Sequence, residues 1–423
     1  MPSGLNEWME TKKKRQRDRT DEMKLDKLPK EFTEAKEVLS LLEQAGYEAY
    51  FVGGSVRDVI LNQPIHDVDI ATSAFPEEIK AIFKHTIDVG IEHGTVLVLF
   101  EGEQYEITTF RTESTYQDFR RPDEVTFVRS LEEDLKRRDF TMNALALDKD
   151  GELVDMFNGI DDIQKGVIRA VGQAEERFFE DALRMMRGLR FASQLTFDIE
   201  EKTLEAIHLH HALLEKISVE RIYVEWVKLL IGQSAPKGLA PFIKTGSYNY
   251  CPGFRGKKEE LLLFQELLLK GQVTSEELAW LLLIDTLSIT RIGPFFKEWK
   301  ASNRIADLIK HASPLLTIRK NTGWTKELLY QAGEEQIRLV EEALDYLGYP
   351  SQLEEALADY NALPMHHLRD MAINGKALMA YSGKKPGPWL GASLRHLEEK
   401  VVAGELANDS GVLLAYWEQT VKG

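Results

Sequence analysis

Cysteine is almost missing from this chain: Cys251 is the only one among 423 residues. A single cysteine excludes an internal disulfide framework and a zinc site built from cysteines, and it fits a reducing cytoplasm. Long apolar runs are also missing, since stretches such as residues 261–264 are far shorter than the roughly 20 residues that span a bilayer. The polar, basic N-terminus has no apolar segment, so no signal peptide is expected. These absences favour a cytoplasmic protein without a membrane partner.

Basic residues are also fewer than acidic ones in this chain. The chain has 53 Lys and Arg against 69 Asp and Glu, which gives a net charge of −16. Such a balance argues mildly against a nucleic-acid partner, because contacts to phosphates need a basic field. The net charge is a sum over the whole chain, however, so a local basic cleft can lie on an acidic protein. If nucleic acid binds here, we expect it to bind through patches.

The chain is too long for one core, and its periodicity changes along its length. Strand-like runs and short helices alternate up to about residue 165, and leucine-rich helical spacing follows to the end. We therefore predict an α+β fold, with a small mixed-sheet head and an extended all-helical remainder that is broken at residues such as Pro314. The predicted strands are residues 49–52, 68–71, 95–100 and 105–110, and the predicted head helices are 32–45, 55–61 and 76–83.

The first chemical signal is a glycine pair followed by two aspartates. An apolar run leads into Gly53 and Gly54, whose missing Cβ atoms let backbone N–H groups face an anion. Asp67 and Asp69 lie in the next apolar run, and residues two apart on a strand point to the same face. Two carboxylates beside such a turn are what Mg²⁺ with a triphosphate needs. Taken singly, the glycines fit an ordinary turn and the aspartates a solvated strand end.

A second signal is Arg137-Arg138-Asp139, followed by apolar residues with helical spacing. We interpret Asp139 as the first residue of a helix. Arg138 could then clamp a triphosphate, and Asp139 could accept hydrogen bonds from ribose hydroxyls. A capped helix with surface arginines is the alternative.

The third signal is a polar ladder with a spacing of three residues: Asp181, Arg184, Arg187 and Arg190. On a helix these side chains share one face. A solvated charged face is the usual explanation, but a row of arginines repels itself unless anions lie alongside. Asp181 and Arg184 side by side would also offer an acceptor and a donor that match the exocyclic amino group and ring nitrogen of cytosine or adenine. Uracil and guanine present a ring N–H instead, so this pair would select C and A without a template.

Five ordered motifs together resemble a known family. They are residues 53–58, 67–72, 137–141, 180–184 and 217–221, and the set is similar to that of the class II tRNA nucleotidyltransferases, the CCA-adding enzymes. The similarity is strongest over residues 47–230. It continues more weakly to the end, where residues 374–376 and 387–389 resemble the tail of the bacillus-type enzymes.

The resemblance implies a polymerase-β-like head with helical neck, body and tail. We assign residues 1–28 to a basic, flexible arm, 29–165 to the head, 166–237 to the neck, 238–319 to the body and 320–423 to a tRNA-binding tail. Residues 155–159 match the family's hinge motif, with Met156 and Asn158 where proline and glycine are common. The polar loop at 111–123 is expected to act as a lever that switches the enzyme from C to A addition.

The resemblance also implies roles for single residues. The metal-binding pair is Asp67 and Asp69 with Mg²⁺, and Glu106 is our hypothesis for a third catalytic carboxylate, with a salt bridge at the core edge as the alternative. Asp181 and Arg184 would read the incoming base. The implied nucleotide-binding set is Gly54, Arg57, Arg138, Asp139, Asp181, Arg184, Arg187 and Arg190.

The implied activity is addition of CCA to the 3′ end of tRNA from CTP and ATP, with release of pyrophosphate. An A-adding or CC-adding enzyme is the near alternative, and a bacterial poly(A) polymerase or a non-catalytic nucleotide-binding RNA module is more distant. No phosphohydrolase metal box is present, because His366 and His367 lack its partners. The sequence leaves open whether the chain forms a homodimer.

Overall fold

The computed structural model describes residues 24–420 except residues 26, 66, 91–92, 114–115, 118–120 and 123–124. The chain folds into two compact units, one ending at Lys258 and the other beginning at Glu259. The basic run at residues 12–19 lies outside the described residues. The finer division into head, neck, body and tail stays a prediction.

A seven-stranded mixed sheet forms the centre of the first unit. Its strand order is β11-β10-β1-β2-β5-β4-β3, and β2 and β5 are its one parallel pair. The strands are β1 Ala49–Val52, β2 Asp69–Thr72, β3 Thr86–Gly90, β4 Thr95–Phe100, β5 Glu103–Thr109, β10 Leu145–Leu147 and β11 Leu153–Asp155.

Both faces of the sheet are covered, which explains the continuous apolar runs of its central strands. On one face, helix α1 (Lys30–Gln44) packs Phe32 flat against Phe51, with 4.3 Å between ring centroids. On the other face, Val52 and Ala146 belong to a second core with Phe110. Because β1 and β2 are antiparallel, the glycine turn after β1, Asp67 before β2 and Asp69 at its start lie at one end of the sheet.

The structure confirms the predicted strands to within two residues and corrects two assignments nearby. Residues 140–147 do not form a helix: Thr141–Asn143 is a single 3₁₀ turn, and the next residues form β10. The apolar spacing looked helical because all three residues of β10 are buried, and Leu147 pairs with Phe51 of β1. Asp67 precedes β2, which begins at Asp69, so the two aspartates do not share a strand.

The predicted loop at 111–123 contains paired strands in its described part. Strand β6 (Arg111–Glu113) pairs with β9 (Val125–Phe127), and β7 (Tyr116–Gln117) pairs with β8 (Arg121–Pro122). The segment is therefore better described as a β-ribbon than as an irregular loop. Its other residues lie outside the described part of the chain, and its lever role stays a prediction.

Helices dominate after residue 165, as predicted, apart from the short parallel pair β12 (Val167–Ile168) and β13 (Asp198–Ile199). In the first unit the remaining helices are α2 Gly54–Ile60, α3 Pro76–Ile82, α4 Leu131–Lys136, α5 Gly159–Lys165, α6 Ala174–Glu180, α7 Leu183–Leu195, α8 Glu201–His210, α9 Val219–Leu230 and α10 Ala235–Thr245. From the boundary onward they are α11 Lys258–Leu267, α12 Glu276–Thr286, α13 Ile292–Glu298, α14 Asn303–Arg319, α15 Lys326–Leu347, α16 Leu353–Asn361, α17 Gly375–Ser382, α18 Pro388–Ala403 and α19 Ser410–Thr420.

Pro314 does not break its helix, contrary to the prediction. It lies inside α14, where the buried Ala312, Leu315 and Leu316 hold the helix against its neighbours despite the missing N–H. Within the described residues, no helix combines the length and the apolarity needed to cross a membrane.

A buried carboxylate ties several segments of the second unit together. Glu341 of α15 is fully buried, and it accepts hydrogen bonds from Arg319 Nε at 2.7 Å and Trp324 Nε1 at 2.6 Å. It also accepts from the backbone N–H of Gln352 at 2.5 Å. One side chain thus joins α14, α15 and the segments before and after α15.

Replacing Glu341 with Ala should destabilise the second unit by about 3–5 kcal/mol, because the buried Arg319 loses its counter-charge. Urea denaturation followed by circular dichroism measures this change. Glu334→Ala is the matched control on the same helix: its pair with Arg338 is about half exposed and should contribute only about 0.3–0.5 kcal/mol. Equal effects of the two substitutions would contradict the role given to Glu341.

Candidate active site

One cavity of about 630 Å³ in the first unit brings together ten of the eleven predicted site residues. They come from the glycine turn, the start of β2, the Asp139 turn and helix α7. The lining includes Gly53 as well as the predicted Gly54, Arg57, Asp67, Asp69, Arg138, Asp139, Asp181, Arg184, Arg187 and Arg190. Glu106 is the predicted residue that lies elsewhere, in an adjoining cavity that shares Asp67 and Asp69.

The glycine turn is a close approach that only glycine allows. Gly53 has φ of 73° and ψ of −139°, a conformation that residues with a Cβ rarely adopt. A Cβ at Gly53 would lie 3.2 Å from Arg138 Nη1 and 3.4 Å from Asp69 Oδ2. The turn therefore brings the backbone, an arginine and an aspartate to one point.

Asp67 and Asp69 fit a divalent cation. Burial raises the pKa of Asp69, and the charges of Glu106 and Asp67 raise it further against the lowering effect of Arg138. A cation would relieve this clustering of negative charge. Among the described residues, no three acidic, histidine or cysteine side chains are grouped to hold a metal alone. The other ligands would be water and substrate oxygens, as is usual for Mg²⁺.

Glu106 faces the aspartates from the neighbouring strand. It lies in β5, directly in register with Asp69 on the parallel strand β2. In the described part of the chain it forms no salt bridge, so the alternative of a pair at the core edge has no support there. Its catalytic role stays a prediction.

Two neighbouring arginines are held by one buried carboxylate, Asp134, which the sequence analysis did not single out. Asp134 Oδ1 accepts from Arg137 Nη2 at 2.7 Å, and Oδ2 accepts from Arg138 Nη2 at 3.0 Å. Burial alone would raise the pKa of Asp134, but the two guanidinium groups hold it below its ordinary value. Arg137 and Arg138 follow Asp134 by three and four residues, a spacing at which side chains on a helix meet, so the sequence contained a signal for these two pairs.

Asp139 is buried, and its two oxygens already have partners. Oδ1 accepts from the backbone N–H of Phe140 at 2.8 Å and from Asn143 Nδ2 at 3.1 Å, while Oδ2 is 2.7 Å from Arg187 Nη2. Burial works to raise its pKa, yet Arg187 and the hydrogen bond from Asn143 lower it to about 2. Asp139 therefore fixes Arg187 in place, and its contact with ribose stays a prediction.

The base-reading candidates are each fixed by a neighbour. Asp181 precedes helix α7 instead of lying on it, and Oδ2 of its carboxylate is 2.6 Å from Arg221 Nη2. Arg184, on the first turn of α7, donates to Glu180 Oε2 at 2.5 Å and to the Arg137 carbonyl at 2.9 Å. The predicted single-helix ladder thus holds for the three arginines and not for Asp181.

Three family models match the chain. Residues 49–169 match the Poly A polymerase head domain, residues 196–255 a probable RNA and SrmB-binding site of polymerase A, and residues 271–417 the putative domain 2 of tRNA nucleotidyltransferases. The matches follow one another along the chain in the order head, RNA-binding segment and second domain.

Whole-chain comparisons are more specific. The CCA-adding enzyme of Enterococcus faecalis is 56% identical over 93% of this chain and 97% of its own length. The chain belongs to the family of CCA-adding enzymes. The CCA-adding enzyme of Limosilactobacillus reuteri is 49% identical over 95% of this chain and 100% of its own. The crystal structure of the Bacillus stearothermophilus CCA-adding enzyme in complex with CTP superposes on this chain with a TM-score of 0.85. The two sequences are 42% identical, and the match covers 93% of this chain and 98% of that one.

Family membership also confirms the α+β fold with its helical remainder, since the Bacillus stearothermophilus CCA-adding enzyme shares it over nearly the full chain. It disfavours a poly(A) polymerase, because relatives that match from end to end are CCA-adding enzymes. Sequence reasoning missed three residues that contact the arginines of the site: Asp134, Asn143 and Glu225. Asp58 lay within the first motif and Glu180 within the fourth, but neither received a role. Arg221 lay within the fifth motif but received no role.

The low pKa of Asp139 predicts a pH-dependent contribution to stability. A carboxylate with a pKa of about 2 in the folded state and an ordinary value of 3.8 stabilises the fold above pH 4 and loses this effect as pH falls towards 2. Asp139→Asn should therefore cost about 2 kcal/mol at pH 7, and the difference from wild type should shrink in acid. Urea denaturation at several pH values measures both quantities. Asp161→Asn, at an exposed carboxylate paired with Lys165, is the control, and a pH-independent penalty for Asp139→Asn would refute this explanation.

Proposed function

We propose that this chain adds CCA to the 3′ end of tRNA without a template, using CTP and ATP and releasing pyrophosphate. The observation that carries this proposal is the cavity itself, where the glycine turn, two aspartates and the arginines of four motifs meet. Membership in the family supports the reaction, and a relative 42% identical has been solved with CTP. An enzyme restricted to A or to CC addition would use the same cavity.

Two sets of lining residues would have different roles, one at the reacting phosphate and the other at the base. Asp67 and Asp69 would hold a divalent cation, for which we propose Mg²⁺, and such a cation supplies Lewis-acid chemistry at the reacting phosphate. Arg138, beside Gly53, lies where it can bind phosphate oxygens. The 3′-hydroxyl of the tRNA would attack the α-phosphorus in line with the departing pyrophosphate.

Base choice would lie with Asp181 and Arg184. Cytosine and adenine present an amino donor beside a ring nitrogen acceptor, which a carboxylate and a guanidinium can match. Because Arg221 holds Asp181 and Glu180 holds Arg184, both groups are oriented before a nucleotide arrives. A mispaired base would leave a buried polar group unsatisfied, at a cost of roughly 1–3 kcal/mol.

The tRNA would be recognised by shape and backbone, as is usual for duplex RNA. In the second unit, Lys384 lies 5.7 Å from the ring centroid of Trp389 and 5.8 Å from that of Trp417. We propose Lys384 and Lys385 as a phosphate contact, with a basic loop of no RNA-binding role as the alternative. We also propose a cytoplasmic location, which fits a lone buried thiol at Cys251.

End-sequencing of a tRNA that lacks CCA tests the function directly. With Mg²⁺, CTP and ATP the wild-type chain should yield CCA ends, with CTP alone it should stop at CC, and ATP alone should add nothing to that tRNA. Asp67→Ala should lose at least about 100-fold in extension rate, close to 3 kcal/mol of transition-state stabilisation. Asp88→Ala is the control, since Asp88 is a surface carboxylate of β3 that pairs with Lys80 of helix α3. Full extension of the tRNA by Asp67→Ala would contradict the role proposed for Asp67.

Gly53→Ala tests the close approach at the turn. The new Cβ would strain a backbone with φ of 73° and crowd Arg138 and Asp69, so we expect kcat/KM for CTP to fall more than about tenfold. Gly102→Ala is the matched control, since its φ is +91° but no atom lies within 4 Å of its added Cβ. Steady-state kinetics with both variants separate an effect at the site from a general effect of strain at a glycine with positive φ. The proposal fails if the two lose activity equally.

A further inference from the structure

Three guanidinium groups of the cavity surround one aromatic ring. Phe191 of α7 is 5% exposed, and its ring lies among the lining of the cavity. The distance from the guanidinium carbon to the ring centroid is 4.1 Å for Arg190, 5.1 Å for Arg57 and 5.4 Å for Arg187. Distances below about 6 Å are those at which a cation is attracted to a ring face.

The three arginines reach the ring from two parts of the fold. Arg57 comes from α2, directly after the glycine turn, whereas Arg187 and Arg190 come from α7. Phe191 therefore lies at the point where the sheet-side and helix-side arginines meet. A single side chain can set the relative positions of groups that the backbone places in separate elements.

Each of these arginines also has its own carboxylate. Arg57 Nη2 is 2.7 Å from Asp58, Arg187 Nη2 is 2.7 Å from Asp139, and Arg190 Nε is 3.0 Å from Glu225. Asp58 and Asp139 accept hydrogen bonds from the edges of their guanidinium groups, whereas Arg190 Nε and Glu225 Oε2 form an ion pair without a hydrogen bond. Contact with the ring adds a second constraint on each guanidinium group.

The guanidinium groups of Arg57, Arg187 and Arg190 still repel one another, although each has a carboxylate partner. Burial, together with the charges of Arg187 and Arg57, lowers the pKa of Arg190 to about 10 against the raising effect of Glu225. All three groups remain cationic at neutral pH. The negative face of the ring offsets part of the repulsion while no anion is bound.

Phe140 restricts the position of the Phe191 ring. Phe140 packs edge-on against Phe191, with 5.9 Å between centroids and an interplanar angle of 87°. Gly188 makes room for this pair, because a Cβ there would lie 3.0 Å from Phe140 Cζ. Phe191 is therefore held in one place, and its electron density acts from a defined position.

We propose that Phe191 is a positioning residue whose ring holds Arg57, Arg187 and Arg190 in the arrangement that binds the triphosphate of the incoming nucleotide. The proposal rests on the nucleotide site described above. The ring makes no contact with the base in this role, so the affinities for CTP and for ATP depend on it equally.

Fluorinated phenylalanines at position 191 test the proposal, because fluorine withdraws electron density from the ring face with little change in shape. From phenylalanine to trifluorophenylalanine we expect the affinity for CTP, ATP and inorganic triphosphate to fall in steps to roughly one tenth. Isothermal titration calorimetry with the full chain measures each affinity. The same series at Phe83, a buried ring outside the cavity lining that packs edge-on against Phe100, should leave all three affinities unchanged.

Phe191→Leu gives a second readout that does not need unnatural residues. We expect KM for CTP and for ATP to rise by the same factor, about tenfold, with kcat and the order C, C, A retained. Affinities that do not change with fluorination, or a loss confined to one nucleotide, would overturn the proposal. Because triphosphate binding is measured without tRNA, a chain that binds CTP in this way but fails to add CCA would refute the proposed function and leave this inference standing.

Discussion

Burying a guanidinium group is costly unless a carboxylate lies beside it, and seven arginines line this cavity. Every one of them has an acidic partner within 3.0 Å. The partners are Asp58, Asp134, Glu180, Asp139, Glu225 and Asp181, with Asp134 serving two arginines. The folded shape of the site depends on this compensation, because removing one carboxylate leaves an uncompensated charge in a confined space.

The same pairs connect distant segments of the chain. Arg187 on α7 reaches Asp139 beside the sheet, and Arg221 on α9 reaches Asp181 before α7. Arg57 donates to Asn143, which in turn donates to Asp139. The glycine turn, the Asp139 turn and the helices that follow therefore form one polar network. This network orients the carboxylate of Asp181 and the guanidinium of Arg184, for which we propose the selection of the base.

The sequence predicted those parts of the site that depend on local backbone. Gly53 and the run before it specify a strand and a turn, and Asp67 and Asp69 follow at fixed distance. The ladder spacing placed Arg184, Arg187 and Arg190 on one helix face. The sequence did not predict how the charges pair, because Arg187 and Asp139 are 48 residues apart and no local rule connects them. Residues 140–147 were misassigned for a similar reason: pairing with β1 is a non-local interaction that overrides helical spacing.

The pairing of arginines with carboxylates also affects how the cavity empties. A site lined with uncompensated guanidinium groups would retain pyrophosphate as firmly as it receives a triphosphate. Here each arginine can offer its remaining N–H donors while part of its charge is already balanced. We expect such a surface to bind polyphosphate with moderate strength, which suits an enzyme that discharges a product and accepts a new nucleotide three times on one tRNA. We therefore expect the carboxylates that compensate the buried arginines to favour product departure as well.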